Sequence, residues 1–326
     1  MRPLLLRTAF AAAALIAALP ADEASARSCE AISTDVPAAS TAADTARLIA
    51  LYKETEDAEP ACPDRYRICL GRAVAHGFVD RAYNAHDAGR PAAEIESLLV
   101  EAIDWSQTWK VLLAQAEFAD EQKRYDDASR YYQAALNDLA DSLPCPGEEA
   151  GIPDERGLRS IFERATVAGL LAEDFVEPPK DRSGDAGGIF LPSVRGIAPV
   201  ERSLPVEFEY DSTDFTPKGA KAADALAAYI LRNKEKYPVV RLSGHTDDRG
   251  SAGYNCGLAQ ARLDAIAGYL YQHGVPPEIS FELVAQGEFH PIRLDDPSRY
   301  SDEEIYQVNR RVALIESSSP VERLCR

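Results

Sequence analysis

The 326-residue sequence has no run of about 18 apolar residues, the length a helix needs to cross a bilayer. Its longest apolar-rich stretch, residues 8–19, lies near the N-terminus. Positive charge is scarce: 35 Lys and Arg face 53 Asp and Glu, a formal net charge of −18. That balance disfavours a nucleic acid or an anionic membrane surface as partner, because both are polyanions. No C-x-x-C pair is present and the five His are scattered, which argues against a zinc site. There is no G-x-S-x-G, no supported Cys–His pair and no paired carboxylates that define a cleft. Ser243, His245 and Asp247 alternate at one strand end, but a nucleophile, base and orienter need convergent contacts from different elements. The sequence is read as non-enzymatic, and it implies no cofactor.

What is present is ordinary globular composition, 46 % hydrophobic and 27 % charged, long enough for about two domains. Residues 1–26 have the layout of a signal peptide: Arg2 and Arg7, an apolar core from Ala9 to Leu19, then Ala24-Ser25-Ala26 before Arg27. Export to the periplasm is therefore expected, with no transmembrane helix in the mature chain. Cys29 invites a lipoprotein reading, but Ala26-Arg27-Ser28-Cys29 lacks Leu at −3 and places an Arg in the site. The six cysteines, at 29, 62, 69, 145, 256 and 325, read as disulfides in an oxidising compartment. The simplest partition pairs Cys256 with Cys325 and leaves two bridges among the other four, in a pairing the sequence does not fix.

Residues 27–176 read as an all-α domain. In Trp109–Asp141, Tyr125, Ala128, Tyr132, Ala135 and Leu136 recur at helical spacing, with Leu112, Ala116 and Ala119 on the preceding helix. This resembles a tetratricopeptide-type hairpin, and Ile95, Leu99 and Ala102 form a weaker copy upstream. An irregular helical bundle is the alternative. Segments 44–57 and 65–87 supply further helices. His76, His86, Trp105 and Trp109 are read as packing or surface residues. A last amphipathic helix is expected over 154–172, capped by Asp154. Pro178-Pro179 and the Gly-rich stretch after Ser183 mark a linker at 177–200. Repeat-type helical modules present a concave surface, so a protein partner is expected for this half.

From residue 203 the periodicity changes. Val206, Phe208 and Tyr210 predict a half-buried strand, and Thr216-Pro217 a capped helix start running to about Lys236. A strand at 239–244, a helix at 255–273 closed by Gly274, and strands at 281–285 and 311–315 complete a β-α-β-α-β-β sandwich. The whole chain is thus α+β, with domains 1–26, 27–176, 177–200 and 201–326. Asp247 sits just after a strand in a Gly-containing loop, and Arg262 two turns into the next helix. A carboxylate and a guanidinium facing one pocket suit the ammonium and carboxylate of a zwitterionic head group.

The stretch from Thr246 through Asp247, Gly250, Asn255 and Leu258 to Arg262, followed by Asn309-Arg310-Arg311-Val312, resembles the OmpA-like peptidoglycan-binding domain family. The D-D-R-G-x-x-x-Y-N stretch and the D-E-x-x-Y-x-x-N-R-R stretch at 302–311 are closest to its peptidoglycan-associated lipoprotein branch. The resemblance covers about 204–316. It implies binding of the diaminopimelate-containing peptide stem of peptidoglycan. Asp247 then matches the residue that holds the stem's free amino group, and Arg262 the one that clamps its carboxylate. Asp211, Arg249 and Leu258 match supporting pocket positions and Arg310 a secondary one, while Thr246, Gly250 and Asn255 brace the loop and helix start. Ala259 and Leu263 depart from the family's usual small residues, and Cys256 is unusual for the motif.

The expectation is a cell-wall-associated envelope protein, with an interaction scaffold that does not bind wall as the alternative. The acidity is unequally shared: residues 201–326 carry 20 acidic and 15 basic residues, net −5, against −13 for residues 27–200.

Overall fold

The computed structural model of the chain describes residues 27–141, 143–146, 148, 151–177, 194, 201–236, 238–315 and 322–325. The expected signal peptide, and all of the expected linker save residues 177 and 194, lie outside them. The chain falls into two compact units, the first reaching Gln115 and including Ser142–Ile152, the second comprising Ala116–Asp141 and everything from Pro153.

The first unit is helical: α1 (Cys29–Ser33), α2 (Val36–Thr41), α3 (Thr45–Glu54), α4 (Asp64–Asp87), α5 (Ala92–Trp105) and the start of α6 (Trp109–Glu121). Gly89, in the left-handed region at φ 66°, turns the chain from α4 into α5. Leu70, Val74, Phe78 and Val79 of α4, with Ile95, Leu99 and Ala102 of α5, are buried. Two bridges staple the unit, Cys29–Cys62 and Cys69–Cys145. The Cys29 sulfur is therefore committed to a disulfide, which leaves no thiol there for acylation. His76 is a packing residue, its Nε2 3.0 Å from Thr108 Oγ1, and burial pushes its pKa down to about 3. Trp105 meets Tyr52 edge-on at 5.2 Å.

The second unit holds the end of α6, then α7 (Tyr125–Asp141) and α8 (Glu155–Leu171). The expected stripe is buried at Ala128, Tyr132, Ala135 and Leu136. Asp154 caps α8 by accepting from the Gly157 amide at 2.8 Å. The α/β portion follows: β1 (Glu201–Leu204), α9 (Pro217–Arg232), β2 (Val239–His245), α10 (Ala252–Gln272), β3 (Ser280–Gly287), a 3-10 turn (Pro297–Arg299), α11 (Asp302–Asn309) and β4 (Val312–Ile315). The sheet order is β1-β4-β2-β3, with β2 parallel to β3 and β4 antiparallel to both β1 and β2. Leu226 and Ile230 of α9 and Leu263, Ile266 and Leu270 of α10 form one core with Val240, Leu242 and Leu314 of the sheet.

Several element expectations are corrected. The strand read at 206–210 is a turn, and β1 lies earlier, at 201–204. Pro205 has no N–H for a ladder, and the chain then doubles back. The Glu209 amide donates to Asp214 O (2.8 Å) and the Thr216 amide to Glu207 O (3.1 Å), around Asp211 at φ 52°. Tyr210 is 85 % exposed rather than half-buried. Helix α9 ends at Arg232, four residues short of expectation, and Leu231 faces solvent at 38 % exposure. Helix α10 starts at Ala252, capped by Ser251, one turn before the expected Asn255. Helix α11 was not expected at all and makes the order β-α-β-α-β-α-β. A capping box of Ser301 and Glu304 starts it, the S-x-x-E signature that the sequence carries openly.

The second unit also joins α8 to the α/β portion by named contacts. Val167, Leu170 and Leu171 of α8 cluster with Val308 of α11, together with Ile292, Leu294, Tyr300 and Tyr125. Lys218, only 5 % exposed, reaches the C-terminal end of α8 and donates to Leu170 O (2.9 Å), Ala172 O (2.6 Å) and Glu207 Oε1 (2.8 Å). A cation at exposed carbonyls of a helix C-terminus is electrostatically favourable. Gln307 of α11 donates to the same Leu170 O and Glu207 Oε1, at 3.0 and 3.2 Å.

Candidate functional site

The loop after β2 presents Asp247. Its placement starts with Thr246, whose amide donates to Gly287 O at 2.9 Å and so extends the β2–β3 pairing by one residue. Gly250 adopts φ 105°, a conformation that L-residues with a side chain rarely adopt, and turns the loop toward α10. Asn255, in the first turn of α10, donates to Asp247 O (3.2 Å) and to Glu288 Oε2 (2.5 Å), locking the loop to the helix.

Asp247 is buried, and its carboxylate lies in a closed ring of ion pairs. Oδ2 accepts from Arg249 Nη2 at 2.7 Å and from Arg310 Nη1 at 2.9 Å. The other ends of those guanidiniums meet Glu303, Arg310 Nη2 at 2.9 Å from Oε1 and Arg249 Nη1 at 3.5 Å from Oε2. Oδ1 accepts the Arg249 backbone N–H at 3.1 Å. Burial would raise the Asp247 pKa, but the hydrogen bonds from Arg249 and Arg310 outweigh it and hold the carboxyl below its ordinary value. The Arg249 guanidinium also lies 4.4 Å from the centre of the Tyr306 ring.

Arg262 comes from α10. It is 5 % exposed and has no carboxylate partner among the described residues. Its Nε donates to Ser212 O (3.1 Å) and its Nη2 to Glu209 O (3.3 Å), both in the turn that replaced the expected strand, with Phe208 beneath at 5.1 Å. Burial and the neighbouring Arg310 charge lower its pKa to about 10, so it remains a cation at neutral pH. Leu258, half-buried, lies one turn earlier on the same helix face. A narrow cleft is lined by Phe208, Ala259, Arg262 and Arg310, with His245 and Arg311.

Asp211 stands at the exposed tip of the turn, where its carboxylate accepts from the Tyr254 hydroxyl. The structure therefore brings Asp247, Arg249 and Arg310 into direct contact, puts Arg262 and Arg310 on one cleft, and holds Asp211 at the exposed tip. Glu303, Tyr306, Phe208 and Tyr254 belong to this neighbourhood and were not singled out from sequence. For Glu303, Tyr306 and Arg310 the signal was their i, i+3, i+7 spacing, visible once a helix is assigned there. Phe208 has no local signal, because its place is set by the turn at 205–216.

Gly244, on β2, faces Ala259 and Leu263 at close range. A Cβ at Gly244 would lie 2.9 Å from Leu263 Cγ and 3.1 Å from Ala259 O, so β2 and α10 approach closely only because residue 244 has no side chain. The Ser243–His245–Asp247 alternation divides. Ser243 Oγ is 3.0 Å from His245 Nε2 and bonds Glu201, while Asp247 bonds Arg249 and Arg310. Cys256, beside Asn255, is bridged to Cys325, as the simplest partition predicted. The tail that this bridge holds also contacts β3, through Gln286 Nε2 to Glu322 O (2.8 Å) and Arg323 to Glu282 (3.1 Å).

Comparison with known proteins bears on this portion of the chain. Residues 207–302 match the model of the OmpA family. A peptidoglycan-associated lipoprotein of Pseudomonas putida is 38 % identical over 107 residues, 33 % of this chain and 59 % of that protein. One from Haemophilus influenzae is 37 % identical over 114 residues, 35 % of this chain and 69 % of its own length. The chain thus spans less than two thirds of the Pseudomonas relative. Among solved structures, the crystal structure of the peptidoglycan-associated lipoprotein from Burkholderia pseudomallei is similar, with 28 % identity and a TM-score of 0.29, covering 35 % of this chain and 88 % of that one. By the family match at 207–302 and the Haemophilus relative, the chain belongs to the OmpA family through its C-terminal portion.

Proposed function

We propose that the protein is a non-catalytic component of the cell envelope that binds the diaminopimelate-containing peptide stem of peptidoglycan. The observation that carries this reading is that Arg262 shares a cleft with Arg310, the residue that bonds Asp247, so a cation and an anion lie on either side of one guanidinium. Among the described residues, Arg262 is a buried cation whose hydrogen bonds go to backbone carbonyls, and Asp247 Oδ1 accepts one backbone amide. A stem carboxylate docks on Arg262 and the stem ammonium on Asp247 Oδ1, each contact contributing a few kcal/mol at most, since about 4 kcal/mol at 4 Å and an effective dielectric of ~20 is offset by desolvation. The names of the relatives, peptidoglycan-associated lipoproteins, support the same ligand and an envelope location. The sequence features at 1–26 support export to the periplasm, and the helical half, including its tetratricopeptide-like spacing, is proposed to recruit a protein partner.

The test is co-sedimentation of purified protein with isolated diaminopimelate-type peptidoglycan. Wild type pellets with the wall, and Asp247→Ala or Arg262→Ala stays in the supernatant. Sedimentation unchanged by both substitutions removes the pocket from the reading. The double pairing of Asp247 favours one alternative, an envelope interaction scaffold whose pocket is closed on itself. Failure of the wild type to pellet would select it.

A further inference from the structure

Asp247, Arg249, Glu303 and Arg310 close a four-membered ring in which anion and cation alternate. Two carboxylates and two guanidiniums make the ring neutral. Arg262 stands outside it, a cation with no carboxylate partner among the described residues. Asp247 is the buried anion of the ring, whereas Glu303 is 64 % exposed on its solvent side. Resting on the ligand reading above, we infer that Glu303 is a specificity-determining residue: it sets whether the pocket accepts a free ammonium.

An ammonium approaching Asp247 Oδ1 enters the field of two guanidiniums that already sit on Oδ2. With Glu303 in place, those cations are matched by two anions and the entering charge meets a neutral ring. Without Glu303 the ring carries a net positive charge, which repels an ammonium and leaves a neutral acylated amine unaffected. The guest's carboxylate on Arg262 is pulled toward the ring in that case, so anionic ligands gain as zwitterionic ones lose. Glu303 touches neither proposed ligand contact. It acts by holding and neutralising Arg249 and Arg310, and the pair of guanidiniums keeps two other contacts, Arg249 on Tyr306 and both on Asp247. The ring therefore persists in shape when only the Glu303 charge is removed.

The experiment uses the exported chain, residues 27–326, and two probes: the tripeptide L-Ala-γ-D-Glu-meso-diaminopimelate, and the same peptide acetylated on its free side-chain amine. Affinities are measured by calorimetry for wild type, Glu303→Gln and Asp247→Asn. Wild type is expected to prefer the free amine. Glu303→Gln should lose about five- to tenfold in that preference, the scale of one partly screened charge at this range, mostly through weaker binding of the free amine. A Glu303→Gln protein whose two affinities fall by the same factor, or do not change, overturns the inference, because a structural role would not move the ratio. Glu303→Asp should restore part of the preference. Wild-type protein that binds neither probe, or Asp247→Asn that keeps full preference, instead overturns the ligand reading itself.

Discussion

Lys218→Met offers a sharp test of how the α/β portion is held to α8. The substitution keeps the aliphatic stem in place and removes the charge and its three bonds, to Leu170 O, Ala172 O and Glu207 Oε1. Removing one partner of a buried ion pair costs about 3–5 kcal/mol when nothing compensates. Here Gln307 still donates to Leu170 O and to Glu207 Oε1, so Ala172 O loses most. One buried acceptor left unsatisfied, plus the lost attraction between a cation and a helix C-terminus, gives about 2 kcal/mol. Hydrogen exchange followed by mass spectrometry is the suitable assay, since a chain of two units has no single unfolding free energy. Amides in the last two turns of α8 and the first turn of α9 should exchange about 30-fold faster than in wild type. Lys221→Met is the control: that lysine is 60 % exposed and pairs with Asp174 at 3.6 Å, and its loss should change exchange less than twofold. If Lys218→Met and Lys221→Met behave alike, the buried lysine does not fasten α8, and the contact description is wrong.

Two further outcomes follow from the same packing. Gly244→Ala should push α10 away from β2 and destabilise the C-terminal portion by about 1–3 kcal/mol, seen as a lowered midpoint in urea. Adding Leu263→Ala should recover part of that loss, and a double variant less stable than the sum of both singles refutes the steric account. The second concerns acid. Burial would raise the Glu304 pKa, but Lys123, the Ser301 amide and hydroxyl and the Tyr125 hydroxyl bring it down to about 2 from 4.5. A depressed folded-state pKa means its stabilisation is complete above about pH 4.5 and is lost as pH falls toward about 2, an effect of about 1 kcal/mol after discounting for solvent screening. Thermal melts between pH 5 and 2.5 should show a shallower acid loss in Glu304→Gln, and parallel curves would assign the effect to other carboxyls.

Much of the C-terminal fold was legible because its signals are local. Thr216-Pro217 at a helix start and Gly274 at a helix end each state an element boundary in one or two residues, and both are observed, while the strand read at 239–244 runs on to His245. The Asp247 loop and Arg262 were legible for the same reason, lying on consecutive elements at short spacing. What failed was tertiary. Val206, Phe208 and Tyr210 alternate like a strand, yet Pro205 and the return bonds of residues 209–216 use the backbone groups a ladder would need. Glu303 was invisible as a ring member because its partners lie seven residues downstream and 54 residues upstream. The disulfide partition was half legible. Cys256 and Cys325 had only each other in their half, whereas the pairing of the other four depends on how α4 lies in the first unit.

Helix α11 is a two-sided element. Glu303 and Arg310 at its ends, with Tyr306 between, serve the ion-pair ring, while Glu304, Gln307 and Val308 meet α7 and α8. Force applied to α8 while the ion-pair ring is held would therefore enter α11 sideways. The bonds from Lys218, Gln307 and Glu304 would share that strain in parallel, so that they yield together rather than one by one. The joint between α8 and the ring thus behaves as a clasp with a short stroke.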